Sequence, residues 1–203
     1  MVASLASGFY ASGYDIGKLM QTIFSADWFY QKKNIGNRIK SPIELWVGIN
    51  RQLPMDFDNE EAAINFQRIM GHVLFNPPNV AGWPSGNTWI DSSSLMYRLQ
   101  LPKIVSAGTD ISVTLKADDD VQMGKTARPI RALSATIKWP LYFQSFVGID
   151  IEKLREELKL FLLQSNTSPS DHMLDKYSKQ DSREALLASR SILLMQCPEY
   201  QYC

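Results

Sequence analysis

Most of the chain shows the spacing of apolar residues that is typical of amphipathic helices. Apolar side chains recur at intervals of three and four residues, which places them on one face of a helix. The clearest stripe consists of Ile16, Leu19, Met20, Ile23 and Phe24. The same spacing returns at 43–53, 63–74, 95–99, 151–162 and 187–195. The pattern predicts a mostly α, helical bundle-like fold in which these stripes are buried.

Polar residues at the starts of these segments indicate where the helices begin. In Ser41-Pro42-Ile43-Glu44, serine and glutamate can each accept a bond from the other's backbone N–H, and proline suits the first helical position. We place the other N-caps at Asp15, Asp58, Asp150 and Asp181. These signals support separate helices joined by short connections.

An irregular loop interrupts the helices in the first half of the chain. One helix is predicted to stop at Asn76, because the consecutive prolines Pro77 and Pro78 cannot continue it. Residues 77–89 contain three prolines and two glycines, which indicates a loop of fixed shape. A helix resumes at Asp91 or Ser92. We call residues 76–89 the tryptophan loop.

The periodicity changes after residue 110. Residues 111–115 and 133–139 alternate apolar and polar side chains, which is typical of β-strands. They predict one small β-hairpin inserted between helices. We therefore divide the chain into a helical domain, 1–107, which holds the tryptophan loop, and residues 108–203, in which C-terminal helices follow the hairpin. The two parts can also pack as one domain.

Composition and charge exclude several classes of protein. The chain is 45% hydrophobic and has 21 basic and 21 acidic residues, so no net field favours nucleic acid or an anionic membrane. No apolar run reaches the roughly 18 residues of a membrane-spanning helix. We expect no nucleic-acid partner and no membrane span. Cys197 and Cys203 either close a small disulfide loop or are two ordinary thiols.

The known motifs of catalysis and metal binding are missing. The sequence has no H-E-x-x-H, C-x-x-C or G-x-S-x-G. Its two histidines, His72 and His172, have no neighbours at metal-ligand spacing. The run Asp118-Asp119-Asp120 lacks the alternating spacing of a calcium loop. We predict no catalytic residue, no metal and no cofactor, and leave open whether the protein is an enzyme.

The tryptophan loop is the best candidate site, and it has two interpretations. In the structural one, Trp83 and Trp89 fill the gap between helices, Asn79 bonds the loop backbone and Arg98 holds loop carbonyl groups. In the functional one, both indoles stack on sugar rings. Polar contacts would then come from Asn79, Asp91, Arg98 and His72. We favour the structural interpretation, because aromatic loops between helices are more often core than cleft.

Several strings in this region resemble one bacterial family. They are Lys40-Ser41-Pro42-x-Glu44, Leu74-Phe75-x-Pro77-Pro78-Asn79-Val80-x-Gly82-Trp83-Pro84, Trp89 and Arg98. Together they resemble the C-terminal half of the family catalogued as domain of unknown function 1800. The resemblance covers residues 13–100 and, less fully, 193–202. Members are longer and usually begin with an export signal, which implies a fragment of an exported, periplasmic or cell-envelope protein.

The resemblance implies no activity, because the family has none established. We predict a non-catalytic role, structural or in protein interaction, with another envelope protein or the missing N-terminal half as partner. The alternative is a protein that binds or acts on polysaccharide through Trp83 and Trp89. A weaker alternative is a hydrolase whose site is shared with the missing half, to which His72, Asp91 and Arg98 contribute.

Overall fold

The computed structural model describes residues 1–58, 61–107, 135–165 and 167–203. These ranges contain nine α-helices and one two-stranded sheet. The helices are α1 (Val2–Ala11), α2 (Ile16–Phe24), α3 (Pro42–Gln52), α4 (Glu61–Ile69), α5 (Ser92–Ala107), α6 (Trp139–Gln144), α7 (Ile151–Leu162), α8 (Asp171–Tyr177) and α9 (Arg183–Met195). The strands are β1 (Met55–Phe57) and β2 (Ala135–Ile137). The mostly helical class with one small antiparallel β element is confirmed.

The β element joins distant parts of the chain. Strand β2 lies inside the segment 133–139 that alternates in sequence, and it pairs antiparallel with β1, so that Met55 faces Ile137. Strand β1 was not predicted, since three residues are too few to show a period. The other predicted strand, 111–115, lies outside the described residues. Pairing with β1 fixes the chain after residue 134 against the end of α3.

One hydrophobic core is built from helices on both sides of the predicted boundary near residue 107. Helices α3, α5, α7 and α9 supply most of it, and the other elements add a few residues, among them Tyr142 and Tyr200. Its fully or almost fully buried members include Leu45, Ile49, Leu101, Val105, Leu154, Leu158, Leu187, Leu194, Tyr142 and Tyr200. The described residues before and after the boundary therefore share their apolar interior.

The first two helices lie outside this core. Asp15 caps α2 as predicted, because its Oδ1 accepts the Lys18 N–H at 3.1 Å. Neither α1 nor α2 has a buried residue. The prediction that the stripe of α2 is buried was wrong: Ile16, Met20 and Phe24 are exposed, because α2 packs mainly on α1.

A glycine, not the two prolines, ends α4. The helix stops at Ile69, well before the predicted end at residue 76. Gly71 has a φ of 71°. The His72 N–H donates to the Gln67 carbonyl at 2.9 Å, and the Gly71 N–H donates to the Arg68 carbonyl at 3.2 Å. This pair of bonds is the usual glycine cap of a helix. It turns the chain at His72 and so sets the direction in which the tryptophan loop leaves.

We expect Gly71→Ala to lower the free energy of unfolding by about 1 kcal/mol. No atom lies within 4 Å of a Cβ added there, so the whole cost comes from the left-handed backbone. Gly71→Asn should cost less, because asparagine tolerates that conformation better. Urea denaturation of the three proteins measures the difference. An alanine variant as stable as the parent would contradict the cap.

Buried charge connects the last three helices. The guanidinium of Arg190 on α9 is completely buried and forms ion pairs with Asp171 and Asp175 on α8. Lys159 on α7 binds Asp171 as well, at 2.7 Å. The N-cap of α9 is Ser182, whose Oγ accepts the Ala185 N–H, rather than the predicted Asp181. These pairs hold α8 between α7 and α9.

Candidate functional site

The aromatic residues of the tryptophan loop form a cluster with His72. The imidazole stacks on the Trp89 ring, with ring centroids 4.9 Å apart and an angle of 14° between the planes. It also contacts Trp83, at 5.1 Å and 47°. Trp89 is only 8% exposed, whereas Trp83 is half-buried. We call His72, Trp83 and Trp89 the ring cluster.

Local hydrogen bonds hold Trp89 in this position. A single turn of 3-10 helix, Gly86–Trp89, begins with bonds between Ser85 and Thr88. The Trp89 carbonyl then accepts a bond from the Ser94 hydroxyl at 3.1 Å. Trp89 is therefore anchored on both sides by short-range polar contacts.

Two other candidate residues, Asn79 and Asp91, accept hydrogen bonds from backbone groups two or three residues further along the chain. Asn79 Oδ1 accepts the Ala81 N–H at 2.8 Å. Asp91 Oδ1 accepts the Ser94 N–H at 2.8 Å, and Ser94 Oγ accepts the Asp91 N–H at 2.9 Å. Asp91 thus starts α5, while Asn79 shapes the exposed part of the loop.

Two polar nitrogen atoms of the ring cluster are shielded from water. His72 Nδ1 and Trp83 Nε1 are buried and have no hydrogen-bond partner among the residues that the structure describes. Burial lowers the pKa of His72, an effect that the negative charge of Glu44 opposes. A lowered pKa favours the neutral imidazole at pH 7. In this form His72 contributes a flat apolar surface between the two indoles.

Arg98 belongs to a different contact network. Its side chain is completely buried, Nε donates to Gln201 Oε1 at 3.0 Å, and Nη2 donates to the Lys40 carbonyl. These partners replace the loop carbonyl groups that we predicted, because Arg98 lies on the face of α5 that is turned toward the C-terminal residues. His72 and Arg98 therefore stabilise separate parts of the fold.

The partners of Arg98 lie where two distant segments pair. The Lys40 N–H donates to the Gln201 carbonyl at 2.8 Å, and the Cys203 N–H donates to the Arg38 carbonyl at 2.8 Å. We call residues 38–40 and 201–203 together the C-terminal seam. Sequence reasoning gave no role to Gln201 and used Lys40 only in the family resemblance, because the partners of both residues are far away in the chain.

A second cation is buried at the C-terminal seam. Lys40 Nζ donates to the Tyr200 carbonyl at 2.7 Å and lies 3.9 Å from the centre of the Tyr200 ring. Burial lowers the pKa of Lys40 to about 8 and that of Arg98 to about 10. Among the described residues, no carboxylate lies within ion-pair distance of either group. The hydrogen bonds of these two buried cations therefore go to neutral acceptors, while the negative charges at Cys203 and Glu44 act on Lys40 from a longer distance.

The predicted capping box at Ser41 is confirmed, and it carries an ion pair. Ser41 Oγ accepts the Glu44 N–H, and Glu44 Oε2 accepts the Ser41 N–H at 2.7 Å. Arg38 donates two bonds to the same carboxylate, at 2.9 and 2.6 Å. The bond with Arg38, ahead of the bonds with Ser41, lowers the pKa of Glu44 to about 2, against the opposing effect of burial.

We expect Glu44→Gln to reduce the sensitivity of the fold to acid. The folded-state pKa is below the unfolded value of 4.5, so Glu44 stabilises the fold above that pH and stops doing so as the pH falls through about 2. The pair is partly exposed and screened, so about 1 kcal/mol of stability depends on it. Urea midpoints at pH 6 and pH 2 should differ less in the variant. Equal shifts in both proteins would contradict the assignment.

Apolar side chains are exposed just before the tryptophan loop and in its first half. Phe75 is 95% exposed and has a φ of 63°, a conformation uncommon in residues other than glycine. Val80 is fully exposed, and Leu74 is partly so. The Leu74 N–H donates to Gln67 Oε1 at 3.0 Å, which fixes the approach to Phe75. We call Leu74, Phe75 and Val80 the loop rim.

A groove of about 390 Å³ lies between α5 and the C-terminal seam. Its lining is mainly apolar, with an amide from each side. The residues around it are Ile39, Asn87, Ile90, Leu95, Pro198, Gln201 and Tyr202. None of these residues belongs to the loop rim, and one of them, Gln201, is also a partner of Arg98.

Metal ligands, membrane-spanning helices and reactive thiols are the other features that bear on function. No group of three or more His, Cys, Asp or Glu side chains there could hold a metal ion. No helix in these ranges is both long and apolar enough to cross a bilayer. Cys197 and Cys203 are free thiols, and burial raises the pKa of Cys197 to about 11. Cys197 is therefore a weak nucleophile.

Comparison with known proteins adds one match. A family model described as "Protein of unknown function (DUF1800)" matches residues 1–202. No curated protein matches the chain significantly, and no solved structure does.

Proposed function

The chain belongs to the DUF1800 family of proteins of unknown function, and we propose that it acts by protein–protein contact through the loop rim. The observation that carries the proposal is the exposed phenyl ring of Phe75 on a left-handed backbone. The role is non-catalytic. From the resemblance of the sequence, we propose that it acts in an exported protein of the bacterial envelope.

The loop rim combines two features that folding alone would not favour. An exposed phenyl ring gains nothing from the hydrophobic effect, and a non-glycine residue with positive φ costs about 1 kcal/mol or more. Phe75 has both, and Val80 adds a second exposed apolar side chain. A partner that covers these side chains would offset the cost. Aromatic residues are also enriched in protein–protein interfaces.

The other part of the loop supports this proposal. The ring cluster anchors the base of the loop, and the prolines Pro77 and Pro78 restrict the segment between Phe75 and Val80. A restricted loop loses less conformational freedom on binding than a flexible one. The loop rim is therefore suited to a contact of defined shape.

The alternatives have less support. A sugar platform needs exposed ring faces, whereas Trp89 is 8% exposed and His72 covers one side of it. A hydrolase site would need His72 and Arg98 to act together, but they belong to separate contact networks. We therefore keep polysaccharide binding as one outcome of the test.

The test is site-specific photo-crosslinking in the native host. A photoreactive phenylalanine at position 75 should capture a defined envelope protein. The same group at Leu160, an exposed apolar residue of α7, is the matched control and should not capture it. With the purified partner, Phe75→Ser should weaken binding about tenfold or more, and Leu160→Ser should leave it unchanged.

Three results would contradict the proposal. Equal capture from positions 75 and 160 would show that the contact is unspecific. Unchanged partner affinity in Phe75→Ser would remove the loop rim from the interface. Binding on a glycan array that is lost in Trp83→Ala and retained in Phe75→Ser would support the polysaccharide alternative instead.

A further inference from the structure

Helices α1 and α2 form a hairpin that the other described elements leave largely uncovered. We call residues 2–24 the N-terminal hairpin. Helix α1 packs on α2, and the half-buried apolar residues of the hairpin are Leu5, Phe9, Leu19 and Ile23. No residue of either helix is fully buried.

A row of three apolar residues lies on another side of α2. Ile16, Met20 and Phe24 are spaced by four residues, so they line up along the helix. At 3.6 residues per turn, this row is rotated by about 80° from the row of Leu19 and Ile23. The contact with α1 therefore does not cover the row, and all three of its side chains are exposed.

The exposed apolar area of the hairpin is at the upper limit for a monomer. Six of its apolar side chains are 41% to 80% exposed, namely Val2, Tyr10, Tyr14, Ile16, Met20 and Phe24. At about 150 to 250 Å² for a large side chain, they leave roughly 600 Å² in water, as much as the largest apolar patch of a typical monomer. Two copies that cover this area would bury roughly 1,200 Å² in total, the lower limit of specific interfaces.

The charge of the hairpin favours an uncharged protein surface as its partner. Asp15 and Lys18 are the only Asp, Glu, Lys or Arg residues between positions 1 and 26, and their charged groups lie 4.0 Å apart. The hairpin therefore has no net charge that a partner would have to complement. Helices that lie on a lipid surface are usually rich in Lys and Arg on their polar face, whereas α2 has one lysine.

The row on α2 is complementary to itself under two-fold symmetry. In an antiparallel pair of α2 helices centred on Met20, each Ile16 lies opposite the second copy's Phe24, and the two Met20 side chains meet. Lys18 is then level with the second copy's Thr22, so the two lysines do not face each other. Methionine adapts its shape to irregular gaps, which suits the position where the same side chain meets itself.

We propose that two copies of this chain associate through the N-terminal hairpin, with their α2 helices antiparallel about a two-fold axis at Met20. Such an interface uses the same patch on both copies. Its limited area places it in the weak class, with an expected dissociation constant of about 10 to 100 µM. The interface shares no residue with the loop rim, so it neither requires nor excludes the partner contact proposed there.

Sedimentation velocity of the full chain between about 1 and 500 µM tests the association. We expect the mass to rise from 23.0 kDa toward twice that value. Met20→Glu places two like charges at the axis and should weaken the dimer about tenfold or more. Leu160→Glu makes the same kind of change at an exposed apolar residue of α7 and should leave the dimer unchanged.

Disulfide trapping tests the register, with Cys197 and Cys203 replaced by serine. Met20→Cys should form a covalent dimer under mild oxidation, because the two positions meet at the axis. Ile16→Cys should not pair with itself, since the two copies of position 16 lie about 12 Å apart along the helices, beyond the reach of a disulfide. A mixture of Ile16→Cys and Phe24→Cys should give the mixed dimer. These variants keep the proposal testable if Met20→Glu fails to fold.

Four results would overturn the proposal. A monomer at every concentration would leave the face to a different polypeptide. A dimer that Met20→Glu and Leu160→Glu weaken equally would place the interface elsewhere. Trapping of Ile16→Cys with itself as readily as Met20→Cys would contradict the antiparallel register. Binding of the chain to phosphatidylcholine vesicles that Met20→Glu abolishes, without self-association, would assign the hairpin to a lipid surface.

Discussion

Trp89→Ala is expected to lower the free energy of unfolding by about 3 to 5 kcal/mol, the usual cost of emptying a buried large aromatic site. Trp89 is 8% exposed and stacks on His72, so its removal opens a cavity between α5 and the end of α4. The hydrogen bonds of Ser94 with Asp91 and with the Trp89 carbonyl hold the backbone in place, so the chain cannot close that cavity. Urea denaturation followed by far-UV circular dichroism measures the loss.

Trp83→Ala is the matched comparison. Trp83 is half-buried and contacts His72 at a steeper angle, so we expect a smaller loss, about 1 to 2 kcal/mol. Trp89→Phe, which keeps an aromatic ring against His72, should also cost less than alanine. If both alanine variants lost less than about 1 kcal/mol, the ring cluster would not be part of the core.

Gly36→Ala is expected to cost about 3 kcal/mol or more, for two additive reasons. A Cβ at this position would lie 2.2 Å from the Gln164 carbonyl oxygen and 2.7 Å from the Ser165 Cα. Both atoms belong to the backbone, so a side-chain rotation cannot relieve the clash, and overpacking of this kind costs about 1 to 3 kcal/mol. The φ of 64° at Gly36 adds about 1 to 2 kcal/mol for a residue with a side chain.

Gly8→Ala is the control, with the opposite expected sign. Gly8 lies in the middle of α1, and no atom is within 4 Å of an added Cβ. Alanine there should stabilise the helix by about 0.5 to 1 kcal/mol. The thermal unfolding midpoints of Gly36→Ala and Gly8→Ala, compared with that of the parent, measure both effects. Similar midpoints for Gly36→Ala and the parent would mean that residue 36 does not lie against residues 164 and 165.

Features that depend on neighbours in sequence could be predicted. The caps at Asp15 and Ser41 were placed correctly, because a cap needs only a side chain and a backbone group three residues away. The mostly helical class followed from the same local periodicity. The end of α4 was placed too late, because the prediction depended on Pro77 and Pro78. Gly71 ends the helix before them, through its left-handed conformation.

Features that depend on distant neighbours could not be predicted. Arg98 was singled out as a candidate, but its partners Lys40 and Gln201 lie 58 and 103 residues away. The apolar period of α2 was clear, yet a period alone does not tell whether another element covers that face. Likewise, nothing in the alternation of 133–139 indicates that β2 pairs with β1.

The C-terminal seam has a consequence for synthesis on the ribosome. The side chain of Lys40 bonds a carbonyl group 160 residues further along the chain, and Arg98 bonds the Gln201 side chain 103 residues further along. Neither bond can form before residues 200 and 201 have been synthesised. Contacts of such long range slow folding. Until residues 200 and 201 have emerged from the ribosome, the nascent chain therefore lacks the Tyr200 acceptor of Lys40 and the Gln201 acceptor of Arg98 in its forming interior.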